Sequence, residues 1–315
     1  MYARALLFRH EAVLAVILAA ALVILAPQAE RLLSLDNLLN QGRLMAEVGL
    51  IALVMTFIIV SGGIDLSVGS IMGLAAILLG VIWKAYGVPL PAAIVLTLLV
   101  GAAAGLVNGI FVARVGVPPL IVTLATLALY RGLAEGIAQG RSTRGFPDWF
   151  LEFGAGELLG VPYQLWLLAV AALVAAAILG RTTFGRAVYA IGNNETAAHF
   201  SGIPVDRAKL AIYTASGVAA ALAGIIFVSR VSTTRSDMGT GLELDVITAV
   251  VLGGTSIFGG RGTILGTVLG VLIIQALKNG LALAGVKGDG TIVVIGLVLI
   301  ASTLASEFLR RGGDG

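Results

Sequence analysis

The feature that most constrains this chain is a series of apolar runs, each about as long as a lipid bilayer is thick. A helix needs about 20 mostly apolar residues to cross the hydrocarbon core. Such runs recur along the sequence, and only 12% of its 315 residues are charged, against about 25% in soluble domains. They lack strand-type alternation and are too long for barrel strands. The sequence therefore predicts an all-α integral membrane protein.

Ten runs are predicted to span the membrane, all within one transmembrane domain that comprises residues 1–315. They are 12–27, 44–61, 66–83, 90–112, 118–138, 163–180, 210–228, 244–258, 263–283 and 291–307. The eighth is short and several contain glycine, so nine or eleven spans remain open. The first run follows two arginines like a signal peptide, but its length and the spans behind it favour an uncleaved anchor.

Basic residues set the expected orientation. Arg4 and Arg9 precede the first span, and Arg310 and Arg311 follow the last. Because positive charge stays on the cytoplasmic side, we expect both termini in the cytoplasm and a multi-pass protein of the inner (cytoplasmic) membrane. Basic residues in the loops between spans add only a weak bias in the same direction.

Two segments between spans carry amphipathic or aromatic patterns. Leucines at helical spacing in 29–43 predict a separate interfacial helix on the outer side. Segment 140–165 holds Trp149, Phe150 and Phe153 among acidic residues. We expect an outer loop whose aromatic rings lie among lipid headgroups, or a docking surface for an outer partner.

Two glycine ladders indicate close helix packing and an internal repeat. They consist of Gly101, Gly105 and Gly109, and of Gly262, Gly266 and Gly270. Glycines four residues apart line one helix face and let two backbones approach in lipid. Each ladder follows a short glycine-broken stretch that contains an aspartate. We therefore predict an inverted repeat with halves 44–138 and 210–307.

The stretch SGGIDLSVGS, residues 61–70, places an aspartate between two apolar runs. Gly62 and Gly63 can break the preceding helix, and Asp65 can cap the N–H groups of the next one. An ionisable residue inside a span is also a functional-site hypothesis. Three interpretations stay open: a buried helix cap, a position beside the substrate path, and a proton or cation site.

Four further ionisable residues lie within predicted spans. Arg131 and Glu135 are four residues apart and are expected to pair on one helix face. Glu47 and Lys278 are expected to snorkel or to pair near helix ends.

The segment 181–209 is the most informative soluble stretch, and we expect it to be a cytoplasmic loop. Asn193 or Asn194 is a natural N-cap, Glu195 suits the first turn, and Gly202 suits the C′ position. These signals predict a two-turn helix over 195–201 that exposes Ala197, Ala198 and Phe200. Such a helix suits insertion into a groove on another protein, but it is equally compatible with an ordinary loop helix.

Several function classes lack their motifs. The chain has no cysteine, two distant histidines, no basic block and no phosphate-binding G-x-x-x-x-G-K-[ST] motif. We therefore expect no metal site, no cofactor, no nucleic-acid partner and no catalytic centre. Transport is the favoured class, and an intramembrane enzyme or a purely structural scaffold is a further alternative, which the missing catalytic cluster disfavours.

The stretches FIIVSGGIDLSVGSIMGLAA, FGRAVYAIGNNETAAHFSGIPVDRAKL and LDVITAVVLGGTSIFGGRGTILGT, in this order, resemble permeases of ABC importers for ribose and other monosaccharides. The resemblance extends from about residue 34 to residue 306. It is closest to permeases for autoinducer-2 and for rhamnose, with those for ribose and xylose not far behind.

The resemblance implies the partners and the role of two segments. A cytoplasmic ABC ATPase would carry ATP and Mg²⁺, an extracytoplasmic sugar-binding protein would deliver the solute, and a second copy or a sister permease would complete the path in the lipid. Segment 181–209 would be the coupling segment that contacts the ATPase. Its residues at this contact would be Gly192, Asn193, Asn194, Glu195, Ala198, Phe200 and Gly202. The family signature near the core of the path would comprise Gly62, Gly63, Asp65, Ser67 and Gly69.

The resemblance favours import driven by a partner's ATPase, with alternating access as the mechanism. The alternative is a secondary transporter driven by a proton or sodium gradient, in which Asp65 and Glu47 would be the coupling groups. A docking helix for a motor is unnecessary in such a carrier. The sugar itself stays open.

Overall fold

The computed structural model describes residues 11–19, 22–23 and 32–286, and ten positions between 288 and 300. Within this part of the chain nearly all regular structure is α-helix. The helices are α1 Leu35–Val60, α2 Val68–Gly80, α3 Leu90–Ile110, α4 Pro119–Ala138, α5 Asp148–Ala155, α6 Tyr163–Arg181, α7 Thr183–Asn193, α8 Glu195–Phe200, α9 Val205–Val231, α10 Leu242–Leu252 and α11 Ile264–Leu283. Two π-helical turns, Val81–Ala85 and Phe111–Val115, extend α2 and α3. The strands β1 Glu157–Leu158 and β2 Val161–Pro162 form a small antiparallel hairpin.

The membrane class predicted from composition is confirmed. Among the described residues, 7 helices are long and apolar enough to cross a membrane: α1, α2 and α3 with their extensions, α4, α6, α9 and α11. The predicted first and last spans, 12–27 and 291–307, lie partly outside the described residues, and helical residues 12–19, 22–23 and 293–298 belong to them. A total of ten spans therefore stays a prediction.

The predicted interfacial helix at 29–43 is wrong for the residues described there. Residues 35–43 form the first turns of α1, which runs unbroken for 26 residues, or about 39 Å at 1.5 Å per residue. The helix begins at Ser34, whose hydroxyl accepts a hydrogen bond from the Asn37 N–H at 3.4 Å. Gly42 does not break it, because the Leu165 side chain packs directly against that position.

The predicted eighth span, 244–258, is also wrong as a continuous helix. Helix α10 has 11 residues, so it is about 16 Å long and cannot cross a core of about 30 Å. Turns follow it at Gly253 and Gly254 because both N–H groups bond back to the last turn of the helix.

The non-helical segment 232–241 supplies the missing half of this crossing. At its start, the Thr234 methyl group lies 3.0 Å from a β-carbon placed on Gly80, at the end of α2. Further on, the Gly239 carbonyl lies against Gly69, near the beginning of α2. Beyond α10, the Gly260 N–H donates to the Val60 carbonyl at 2.8 Å. The chain from 232 to 260 therefore passes from one end of the bundle to the other as a discontinuous crossing.

The first glycine ladder brings α3 and α9 into direct backbone contact in the core. Gly101, Gly105 and Gly109 all face α9, and a β-carbon on Gly105 would lie 2.1 Å from the Tyr213 carbonyl oxygen. The contact is reciprocal, because a β-carbon on Gly217 would lie 2.0 Å from the Gly101 carbonyl oxygen. Only glycine permits these two backbones to approach so closely.

The second ladder packs differently. Gly266 and Gly270 face α10, with the Gly253 and Ala249 carbonyl oxygens each 2.0 Å from a placed β-carbon. Gly262 is not on this helix face: it precedes the N-cap residue Thr263 and has a φ of 159°. The first ladder therefore contacts the long helix α9, whereas the second contacts the short helix α10. The inverted repeat with halves 44–138 and 210–307 stays a prediction.

We expect Gly105→Ala to destabilise the protein, because the new methyl group would overlap the Tyr213 carbonyl. Overpacking of this kind costs about 1–3 kcal/mol, so the melting temperature in detergent should fall by several degrees. The matched control is Gly132→Ala on α4, where a β-carbon meets nothing within 4 Å. Equal melting temperatures for the two variants would contradict the close contact of α3 and α9.

Candidate functional site

A buried polar cluster surrounds Asp65, between α1 and α2. Its Oδ1 accepts hydrogen bonds from the Ser67 N–H at 2.9 Å and the Ser67 hydroxyl at 2.6 Å, and Oδ2 accepts from the Ser216 hydroxyl at 2.8 Å. The Asn108 amide donates to the Ser67 Oγ at 2.8 Å. Asp65, Ser67 and Asn108 are all 0% exposed. The cluster therefore ties the turn before α2 to α3 and α9.

Asp65 does not cap α2 in the predicted way. The N-cap is Ser67, and Asp65 receives the N–H of that residue rather than one from the first turn. The reason is spacing: the carboxylate precedes the N-cap by two residues and closes a local turn instead. Of the five signature residues, only Gly62 is exposed, and its φ of 84° ends α1.

The predicted pairing of Glu47 and of Lys278 is confirmed, but Glu47 is the thirteenth of the 26 residues of α1 and does not lie near a helix end. Glu47 is 4% exposed and binds Arg230 of α9 through both oxygens, at 3.0 and 3.1 Å. Lys278 of α11 binds Asp245 of α10 at 2.5 Å.

The predicted pairing of Arg131 with Glu135 is wrong. The Arg131 guanidinium instead donates to main-chain carbonyls: to Ser236, to Met238 at 3.0 Å and to Gly69 at 3.2 Å. Non-helical backbone at membrane depth needs partners inside the protein. Arg131 supplies them, and it thereby holds segment 232–241 against α2.

The helix predicted at 195–201 is confirmed as α8, Glu195–Phe200. The Asn194 side chain accepts the Ala197 N–H at 2.9 Å and caps the helix. Gly202 has a φ of 78°, and the next N–H, from Ile203, bonds back to the Ala198 carbonyl at 3.1 Å. Both ends of α8 are thus fixed by capping residues that can be recognised in the sequence.

The side chains of α8 divide into a buried and an exposed set. Ala198 is 4% exposed and packs with Ile191 and Val205, so its predicted exposure is wrong. Glu195 binds Lys209 at 2.5 Å. Phe200 is 86% exposed, which is unusual for a large aromatic side chain. Asn193, Asn194 and Gly202 are also exposed.

Gly192 connects this surface to the core. A β-carbon there would lie 1.8 Å from the Val60 carbonyl oxygen and 2.5 Å from the Gly260 nitrogen. Nearby, the Tyr189 hydroxyl donates to the Gly262 carbonyl at 2.6 Å. Burial raises the pKa of that hydroxyl above its ordinary value, so it remains a donor at neutral pH. The end of α1, helix α7 and the loop before α11 therefore meet here.

One exposed group on this side was missed by the sequence reasoning. Phe258 is 92% exposed on the loop that follows α10. This loop lies beside the end of α7, just before α8, because a β-carbon on Gly260 would be 2.4 Å from the Oδ1 of Asn193, the last residue of α7. The sequence signal that could have indicated this exposed group is an aromatic residue in the turn TSIFGG, which is flanked by glycines.

The aromatic segment 140–165 lies at the other end of the bundle and carries α5 and the β hairpin. Phe150 is 2% exposed and packs on Phe146 with ring centroids 5.1 Å apart. Trp149 and Phe153 are exposed at 49% and 59%. One of the three predicted surface rings is therefore a core residue.

No group of three or more His, Asp or Glu residues that could hold a metal ion occurs within the described part of the chain.

Comparison with known proteins identifies the relatives of the chain. Residues 37–303 match the family described as branched-chain amino acid transport system / permease component. The autoinducer 2 import system permease protein LsrD of Photorhabdus temperata is 41% identical over 300 residues, which cover 93% of this chain and 90% of the relative. LsrD of Escherichia coli K12 is 40% identical over 296 residues, covering 92% and 89%. No solved structure matches.

We expect Asp65→Asn to weaken the fold. An amide nitrogen cannot accept the hydrogen bonds that the second carboxylate oxygen accepts now, so a buried donor loses its partner. Hydrogen bonds to a charged group contribute about 1.5–3 kcal/mol. Thermal unfolding in detergent measures the loss against Asp148→Asn, an exposed aspartate on α5. An unchanged midpoint in Asp65→Asn would show that the carboxylate charge does not stabilise the cluster.

Proposed function

Because the chain belongs to the branched-chain amino acid transport system / permease component family, we propose that it moves a sugar-like solute inward in a complex powered by a separate ATPase. The chain is the membrane permease subunit of an ABC importer and not an enzyme. Relatives named for autoinducer 2 import, about 40% identical over nine-tenths of the chain, support autoinducer 2 or a similar small sugar as the solute.

We place the side that carries α7 and α8 in the cytoplasm of a multi-pass inner-membrane protein. Arg181, Arg186 and Arg207 are on or beside this loop, as expected for cytoplasmic segments. Glu11 accepts a hydrogen bond from Thr263 at 2.8 Å, so helical residues 11–19 begin on the same side. This arrangement supports a cytoplasmic N-terminus.

The observation that carries the docking proposal is an exposed aromatic residue on a short, doubly capped helix. Phe200 projects from α8, whose ends are fixed by Asn194 and Gly202 and whose base is held by Ala198. A large apolar group on a rigid support suits a groove on a partner. We propose that the partner is the ABC ATPase, which binds ATP and Mg²⁺, and that Glu195 and Phe258 belong to the same docking face.

The contacts of Gly192 suggest how motion of this face reaches the membrane. The backbones of Gly192, Val60 and Gly260 touch without intervening side chains, so a shift of α7 and α8 would displace the end of α1 and the end of the discontinuous crossing. We propose that closure of two ATPase domains uses this connection to alternate the access of the path.

The remaining partners fit other surfaces. The far side, with Trp149 and Phe153 exposed, is our candidate for contact with the extracytoplasmic binding protein or with lipid headgroups. Helix α6 exposes Val170, Leu173 and Val174, an apolar stripe suited to lipid. A second permease, identical or a sister chain, would complete the path.

We expect Phe200→Asp to reduce the ATPase that co-purifies with the detergent-solubilised permease by about ten-fold or more, because a buried aromatic anchor commonly contributes at least that much. The measurement is a pull-down from the native host. The control, Phe153→Asp, removes another exposed aromatic residue from the opposite side and should retain the ATPase.

Three outcomes separate the possibilities. Loss of the ATPase only in Phe200→Asp supports the docking face. Equal recovery from both variants would contradict it. Failure of wild type to recover any ATPase, with uptake that persists after ATP depletion, would favour a gradient-driven carrier instead.

A further inference from the structure

Four side chains on and after the non-helical segment 232–241 form what we term the polar strip: Arg235, Asp237, Thr240 and Glu243. Arg235 and Asp237 pair at 2.9 Å and remain 64% and 58% exposed. Thr240 is exposed and donates to the Asp237 carbonyl at 2.7 Å. Glu243 is half-buried, with its carboxylate against Gly69.

The strip reaches the depth of the membrane interior. Arg131, which holds this segment, is the thirteenth of the 20 residues of α4. About 10 Å of α4 therefore lies between Arg131 and the nearer end of that helix. Below it, Gly239 contacts Gly69 of α2, and α10 begins directly afterwards. Non-helical backbone followed by a half-length helix is the arrangement in which transporters place solute sites.

The exposed side of the strip cannot face lipid. Charged side chains within the hydrocarbon are costly, and they face water-filled cavities or other polar groups. Arg235 and Asp237 lie nearest the end of the bundle where Thr234 meets Thr143, and Glu243 lies deepest. The strip thus descends from the far side towards the middle of the bundle. The signature residues Asp65 and Ser67, by contrast, are 0% exposed.

We propose that the polar strip is a low-affinity binding site for an uncharged polyhydroxylated solute within the path, an inference that rests on the proposed function. Asp237 and Glu243 accept hydrogen bonds from hydroxyl groups, Arg235 donates them, and Thr240 can do both. Adjacent carboxylate and guanidinium groups suit the neighbouring hydroxyls of a sugar ring. Arg131 is a positioning residue, because all three of its hydrogen bonds go to main-chain carbonyls.

A labelling experiment tests access and binding together. The chain has no cysteine, so Thr240→Cys introduces a single thiol in the strip, and Leu173→Cys introduces one on the apolar stripe of α6. The full complex in proteoliposomes is treated with a charged, membrane-impermeant thiosulfonate, with and without autoinducer 2 as the probe. We expect labelling of Thr240→Cys only, slowed several-fold by the probe. No labelling, or a rate that the probe leaves unchanged, would overturn the proposal.

Uptake kinetics provide the second readout. Asp237→Asn and Glu243→Gln keep the size of each side chain but remove a charged acceptor, so uptake at limiting solute should fall about ten-fold per variant. Asp36→Asn, an exposed aspartate in the first turn of α1, is the control and should match wild type. Each rate is normalised to the amount of assembled complex in the membrane.

The design separates failure of the strip from failure of the function. Normal uptake in wild type, Asp36→Asn and both strip variants would overturn the binding site and leave the importer intact. Absence of ATP-dependent autoinducer 2 uptake in wild type would instead remove the proposed solute. Reduced uptake confined to the strip variants, with protection of Thr240→Cys, supports both.

Discussion

The need to satisfy backbone groups where water is absent governs this structure. Segment 232–241 is non-helical, so the regular pattern of a spanning helix does not pair all of its carbonyls. Arg131 donates to two of these carbonyls and to that of Gly69. The Arg131 side chain thus stabilises the segment and positions α10, which follows it, while its guanidinium has hydrogen-bond acceptors inside the protein. The discontinuous crossing and the polar strip both depend on this arrangement.

Direct contact between backbones joins several of the helices. Gly105 and Gly217 bring α3 and α9 together, and Gly192 brings α7 against Val60 and Gly260. Such contacts contain no flexible side chain that could absorb a displacement, and tightly packed elements move as units. This rigidity is what a permease needs if a motor on one side is to change access on the other, and it supports the proposed link from α8 to the membrane interior.

The two kinds of polar site in the bundle have different surroundings. The Asp65 cluster is enclosed, and its hydrogen bonds join three elements, which suits a structural role in this conformation. The polar strip keeps much of its polar surface open. The residues that resemble the family signature and the residues of the proposed binding site are therefore different, and burial is the property that separates them.

Local chemistry determined what the sequence could predict. Apolar run length indicated the membrane class, and the Asn194 and Gly202 signals placed α8 within one residue, because caps act on their own turn. Tertiary contacts decided the rest. Arg131 is four residues from Glu135, yet it binds carbonyls more than 60 residues away. Residues 244–258 are apolar enough for a span, yet the helix ends at Leu252, since packing against Gly266 and Gly270 fixes the backbone there. Sequence spacing carries no information on such distant partners, so only the folded structure revealed the discontinuous crossing.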